Sequence, residues 1–319
     1  MKYFLISSLL LMSLNLAAQL CSEASLLLKP GIWKEGIKGS VSGIPASDLE
    51  KEKKVVAALH SMIKSKYTPM GAEADFNGSY DSPDTEIPVN NYSYTIYFLN
   101  YICEGNVIKT VHETSTTFSI DANRFDGRIF ETPDENNIPD EGFFSIKIIP
   151  VEKDGYYYFE QDVSLGFGLT GKSRNWLISH DNKLPFAYVT KKEFLEKQKQ
   201  MLMNSSVKST GSSKKDYNNA LTKIEKQLTA SAGESLQPVI VKKDPNDYLS
   251  YLFTTINDPF GKVLIKPNPA YFNTKLSRST PQFFVVNVNG NEKDAVASNF
   301  MNGILKDFDF ATLRNMLGK

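Results

Sequence analysis

This chain has few of the residues on which common site chemistries depend. Its 319 residues include two cysteines and three histidines, too few for a Cys/His zinc cluster. Its 36 basic and 36 acidic side chains leave no net formal charge. It therefore lacks the basic footprint of a general nucleic-acid binder. Beyond the N-terminal stretch it has no run of about 18 apolar residues, the length a transmembrane helix requires. It contains no Gly-x-Ser-x-Gly elbow and no internal repeat, which sets aside the α/β-hydrolase signature and the solenoids. Nothing in the composition calls for a cofactor or a metal. What is there is an ordinary globular balance, 41% hydrophobic and 23% charged, long enough for roughly two domains.

The N-terminus reads as an export signal. Lys2 supplies a positive start, Phe4 to Leu16 is almost wholly apolar or small, and Leu16-Ala17-Ala18 offers a small-residue cleavage site. A removed signal peptide over 1–18 is expected, with Gln19 as the new first residue and a periplasmic or outer-surface destination. Cys21 raises the alternative of a lipid anchor. That pattern wants a Leu-like residue three before the cysteine and a small one just before it. Here Ala18 and Leu20 stand in the reverse order. After cleavage Cys21 and Cys103 are the two thiols, and they either bridge or stay unpaired.

The periodicities predict an α+β fold. Ser47-Asp48-Leu49-Glu50 reads as a capping box, and Val55, Val56, Leu59, Met62 and Ile63 form one stripe, which predicts a helix over Asp48–Lys66. Period-two runs follow at Tyr92–Ile102 and Ile108–Ile120, joined by a Glu104-Gly105-Asn106 turn. Further strands are expected at Phe143–Ile149, Tyr156–Leu165, Arg174–Ser179 and Leu184–Val189, the last two as a hairpin around Asp181-Asn182-Lys183. Thr190-Lys191-Lys192-Glu193 opens a helix to Met203. Asn204 to Ser213 reads as a mobile turn before a helix over Lys214–Ala230. Pro-punctuated short strands and a helical tail complete the chain. The expected organisation is a helix packed on an antiparallel meander sheet (19–189), a helical hairpin (190–232) and a small mixed α/β C-terminal region (233–319).

Two stretches carry a resemblance. One is Trp176-Leu177-Ile178 with Leu184-Pro185-Phe186 and Val189-Thr190-Lys191-Lys192-Glu193-Phe194-Leu195. The other is Lys266-Pro267-Asn268-Pro269-Ala270-Tyr271-Phe272 with Pro281-Gln282-Phe283. Both resemble segments of uncharacterised exported proteins of Bacteroidota. The likeness covers roughly the C-terminal half. It implies an envelope location and assigns no chemistry to any residue.

Several motifs bear on chemistry. Gly166 through Gly171-Lys172-Ser173 matches the phosphate-binding P-loop letter for letter. That motif needs a helix after it, whereas Arg174 onward has β character, so a glycine bend between strands is expected. Acidic loops at Asp75–Glu86 and Asp121–Glu135 offer oxygens for calcium, but neither has the EF-hand register, and solvated turns explain them. His60, His112 and His180 are scattered, and His112 is expected to be buried. Aromatic clusters at Tyr92–Tyr101 and Tyr156–Phe159 must send half their rings to either sheet face. Tyr97, Tyr101, Tyr157 and Trp176 are the candidate ligand contacts, for a glycan or an envelope protein. The expected function is a non-catalytic exported protein with a binding or structural role. The alternative is an extracytoplasmic hydrolase using distant carboxylates such as Glu113, Asp121 or Glu160. The first step is testable directly: N-terminal sequencing of the protein isolated from its own cell should begin at Gln19. A cytosolic product beginning at Met1 would remove the export reading.

Overall fold

The period-two alternation from Tyr92 to Phe98 sends Tyr92, Tyr94, Ile96 and Phe98 to one face of a strand, and all four are buried. In the computed structural model, residues 21–319 are described apart from 37, 82–86, 126, 128, 132–142, 167 and 231–236. The expected signal segment, 1–18, lies outside the described residues. In chain order the first elements are α1 (Glu23–Leu27), β1 (Trp33–Lys34), β2 (Val41–Ser42), α2 (Ala46–Lys64), β3 (Ala72–Asp81), β4 (Asn91–Glu104), β5 (Val107–Thr110) and β6 (Thr117–Ala122). Next come β7 (Phe144–Ile146), β8 (Val151–Lys153), β9 (Tyr156–Gly166), β10 (Leu169–Ser179), β11 (Phe186–Tyr188), α3 (Lys191–Lys208) and α4 (Gly211–Ala230). The chain closes with β12 (Ile240–Lys243), β13 (Tyr251–Phe253), β14 (Lys262–Pro267), β15 (Phe283–Gly290), α5 (Ala295–Lys306) and α6 (Phe310–Asn315).

This is an α+β fold with two sheets. The larger runs β1-β3-β4-β6-β15-β10-β9-β8, with β2 also on β3 and β5 also on β4. Among the described residues only β1 and β2 pair in parallel, both with β3. The smaller sheet runs β11-β14-β12-β13, with β7 also on β14. The pairings cross both boundaries expected from the sequence. β15 comes from the C-terminal region, yet it lies between β6 and β10 of the large sheet. β7 and β11 come from the N-terminal region, yet they pair with β14 of the small one. The large sheet is therefore not a simple meander. Nor do β10 and β11 form a hairpin: Asp181 and Asn182, both at φ +51°, turn the chain from one sheet into the other.

The two faces of the large sheet bury different things. On one face α2 contributes Val56, Leu59 and Ile63, and α5 contributes Phe300, Met301 and Ile304. They cover Tyr94, Ile96, Phe118, Ile120, Phe284 and Val286, with Phe98 stacked on Phe300 at 4.3 Å between ring centroids. Each such fully buried side chain contributes about 1.5–3 kcal/mol. On the other face Phe159, Leu177, Phe283 and Val285 pack on Phe144, Ile146, Phe186, Val263 and Ile265 around the small sheet. Beside that apolar half runs a row of polar residues in register across five strands: Asn77, Thr95, Ser119, Asn287 and Asn175. All five are buried. Asn287 Nδ2 donates to Asn175 Oδ1 at 2.7 Å and to Ser173 Oγ at 2.9 Å.

Local details depart from expectation for identifiable reasons. α2 starts at Ala46 with Pro45 as its cap, because Asp48 and Leu49 donate their N–H groups to Pro45 O. The expected Ser47–Glu50 box is therefore inside the helix. α3 continues to Lys208 through the expected mobile turn, where buried Ser206 donates to Asn218 Oδ1 of α4 at 2.8 Å. The helical hairpin forms, with Leu195, Leu202, Ala220 and Ile224 as its own small core. Cys21 and Cys103 are joined, with Cα atoms 5.7 Å apart and 82 residues of separation. This bridge ties the approach to α1 to the end of β4. In the entropic account a ring of that size contributes about 4 kcal/mol.

A fully buried carboxyl sits under α2 in this framework. Glu52 of α2 is fully buried. Its Oε1 accepts from Asn90 Nδ2 at 2.7 Å and Ser279 Oγ at 3.0 Å, while its Oε2 has no hydrogen-bond partner. Burial pushes its carboxyl above the usual range, opposed by those two hydrogen bonds and reinforced by Asp48 and Asp81. A raised folded-state value favours the protonated form. The stability this lends is present below the unfolded-state value and is lost as pH rises through the folded one. Glu52→Gln cannot ionise. Its urea midpoint should overtake that of wild type as pH rises from about 4 to about 8, by on the order of 1 kcal/mol at the upper end. Parallel curves would remove this account.

Candidate functional site

Two loops of the small sheet are built from turn-forming residues around an aspartate. In the loop from β12 to β13, Asp247 Oδ1 accepts from Leu249 N at 3.1 Å. Its Oδ2 accepts from Ser250 Oγ at 2.6 Å and Lys223 Nζ at 2.7 Å. In the loop from β13 to β14, Asp258 Oδ1 accepts from Phe260 N at 2.9 Å. Its Oδ2 accepts from Lys242 Nζ at 2.7 Å and Thr254 Oγ1 at 2.8 Å. The hydrogen bond from Lys242 leads the causes that hold the Asp258 carboxyl at about 2, and the Lys223 contact likewise lowers Asp247. Side-chain acceptors of this kind replace the backbone pairing a turn forgoes, so each loop is held in one shape.

Each braced loop displays an aromatic ring to solvent. Tyr248 follows Asp247 and is 64% exposed; Phe260 follows Asp258 and Pro259 and is 72% exposed. Both line one groove of about 900 Å³. Val241 and Tyr251 are its buried members, and Lys147, Lys242, Lys243 and Lys262 approach it from the surrounding strands and loops. Behind it, Glu131 pairs with Lys262 and, at 3.5 Å, with Lys147. Smaller depressions lie beside His180 and Gln282, about 500 Å³, and beside Glu160 and Lys172, about 320 Å³. In neither of them does an exposed ring stand.

The aromatic residues singled out by sequence lie elsewhere and do not share a surface. Tyr97 is half-buried on β4 between Asp75 and Thr117. Tyr101 is only 7% exposed, with the Lys29 ammonium 5.3 Å from its ring centroid. Tyr157 is four strands away on β9, half-buried in the second core, and its hydroxyl donates to Asn182 O. Trp176 points to the opposite face, against Tyr158 at 5.3 Å and Phe310 at 5.6 Å. Sequence reasoning passed over Tyr248 and Phe260. Their signal was a ring embedded in turn residues, Asn246-Asp247-Tyr248 and Asn257-Asp258-Pro259-Phe260-Gly261.

The remaining motifs take structural roles. Gly166 and Gly168, both at positive φ, make the bend from β9 to β10, and no helix follows. Lys172 pairs with Asp162 at 2.8 Å and Glu160 at 3.5 Å, and Ser173 is buried. The carboxylates of the hydrolase alternative are not assembled. By register, Asp121 faces the small sheet and Glu160 faces α5 and α6, while Glu113 lies in the loop between β5 and β6. In the acidic loops, Asn123 (φ +56°) instead accepts from Gln282 N at 2.7 Å and donates to Thr280 O at 3.1 Å, docking the start of β15. Asp84, Glu86, Asp126, Asp134 and Glu135 lie outside the described residues. Among the described residues no group of His, Cys, Asp and Glu is placed to hold a metal ion. His60 Nδ1 lies 2.9 Å from Tyr94 Oη and its ring stacks on Phe76. His112 is exposed rather than buried, because the strand breaks after Thr110 and resumes at Thr117.

Scans against protein-family models, curated proteins and solved structures each found no match to this chain. Among the described residues no helix is long and apolar enough to cross a membrane. The bracing of the groove can be tested on its own. Asp258→Ala should speed amide hydrogen exchange at Phe260 and Gly261 by about tenfold, the loss of one charge-assisted hydrogen bond. The global thermal midpoint should move little. Unchanged exchange at those two amides would show that the aspartate does not hold the loop.

Proposed function

We propose that the protein is an exported, non-catalytic binding protein of the cell envelope, and that the groove between the Asp247 and Asp258 loops takes a saccharide. The observation that carries this reading is the pair of solvent-exposed rings, Tyr248 and Phe260, displayed on braced loops beside one groove. A ring kept in water on an ordered loop has forgone burial, and its ordering entropy is already spent before a ligand arrives. The size of the groove favours a small or chain-like ligand. It falls in the ~300–1,000 Å³ range of ligand pockets. A stable protein interface instead wants a patch of about 800 Å² per partner. Flat ring faces suit the apolar faces of sugars.

Export is supported by the N-terminal signal pattern and the Cys21–Cys103 bridge. Structural disulfides persist in oxidising compartments and are rare in the cytosol. A glycan array tests the binding role. Wild type should retain a set of saccharides, and Tyr248→Ala and Phe260→Ala should each weaken binding about tenfold. The thermal midpoint should stay put, since neither ring is buried. Equal retention by wild type and the double variant would remove the groove from the account.

A further inference from the structure

The groove is cationic as well as aromatic, and its charges are unevenly paired. Lys147, Lys242, Lys243 and Lys262 line it, against Asp244 as the lone carboxylate of the lining. Lys242 is matched by Asp258. Lys147 and Lys262 share a single carboxylate, Glu131. Lys243 is exposed and has no ion pair among the described residues. Asp244 is partly occupied, its Oδ1 accepting from Asn246 N at 2.9 Å. The result is positive charge beside two ring faces.

From this we infer that the ligand is an acidic saccharide, its sugar faces against Tyr248 and Phe260 and its anionic groups at Lys243 and Lys147. The inference rests on the saccharide reading above and adds the sign of the ligand's charge. Lysine suits this task because its ammonium is a mobile point charge that can follow anions spaced along a chain. An acidic peptide is less favoured. Extended peptides bind by adding to an open strand edge. In β12, Val241 is bonded to β13 on one side and β14 on the other, so beside the groove Lys242 and Lys243 alone are unpaired on one side, a row too short to seat an added strand.

Calorimetric titration of the full chain with four probes decides the matter: polygalacturonate, its fully methyl-esterified form, dextran sulfate and polyglutamate. Polygalacturonate should bind, and esterification or Lys243→Glu should each weaken it by about tenfold or more. Tyr248→Ala should weaken it about tenfold as well. The dextran sulfate arm separates a carboxylate ligand from a sulfated one: tighter binding there keeps the acidic-saccharide class and names its anion. If the esterified form binds as tightly as the free acid and Tyr248→Ala still weakens it, the charge inference fails and the saccharide reading survives. If polyglutamate binds as tightly as polygalacturonate with no effect of Tyr248→Ala, both fail. If none of the four probes binds while neutral saccharides are retained on the array, the charge inference alone fails.

Discussion

The structure depends on one strand buried on both sides. β15 reads Phe283-Phe284-Val285-Val286-Asn287-Val288, and each residue in that run is buried. Phe284, Val286 and Val288 serve the core under α2 and α5, while Phe283 and Val285 serve the core shared with the small sheet. Without it β6 and β10 have no common partner, and the large sheet divides in two. Antiparallel strands usually bury one face and wet the other, whereas a continuous apolar run marks a strand covered twice. Asn123 fixes where this strand begins, donating to Thr280 O and accepting from the N–H groups of Gln282 and Phe283, its first residue.

Much of the local structure was legible in the sequence. The stripe from Val55 to Ile63 announced α2, and the alternation from Tyr92 to Phe98 announced β4, because both patterns are set by neighbours in the chain. The end of α2 was less legible. A Ser-x-x-Glu box would serve the N–H groups of Ser47 and Glu50, but the helix begins two residues earlier and Pro45 O takes those of Asp48 and Leu49. Partner choice was not legible at all. β15 pairs with strands more than a hundred residues away, and nothing in its own run names them. The Asp181-Asn182 turn misled for the same reason. Residues tolerant of positive φ signal that the chain turns, not which strand it turns toward.

The polar row through Asn77, Thr95, Ser119, Asn287 and Asn175 bears on that ambiguity. A one-residue slip of β15 would replace Asn287 with Val286 or Val288 in the row and carry apolar side chains away from the helices. It would also break the bonds from Asn287 to Asn175 and Ser173. Five strands thus share a register that apolar packing alone would specify less sharply. The candidate site was illegible for a different reason. Rings chosen for their density within strands become core. The rings left in water sit in short turn segments, where no periodicity points at them.

The bracing of the two loops separates what holds the groove from what the groove touches. Asp247 and Asp258 spend their oxygens on backbone, hydroxyl and lysine donors, and none of those atoms belongs to the ring of Tyr248 or Phe260. Exchanging either ring for another side chain leaves the scaffold's hydrogen bonds in place. The two ring positions can therefore be exchanged one at a time while the architecture beneath them stays constant, so each serves as an independent handle on what the groove displays to solvent.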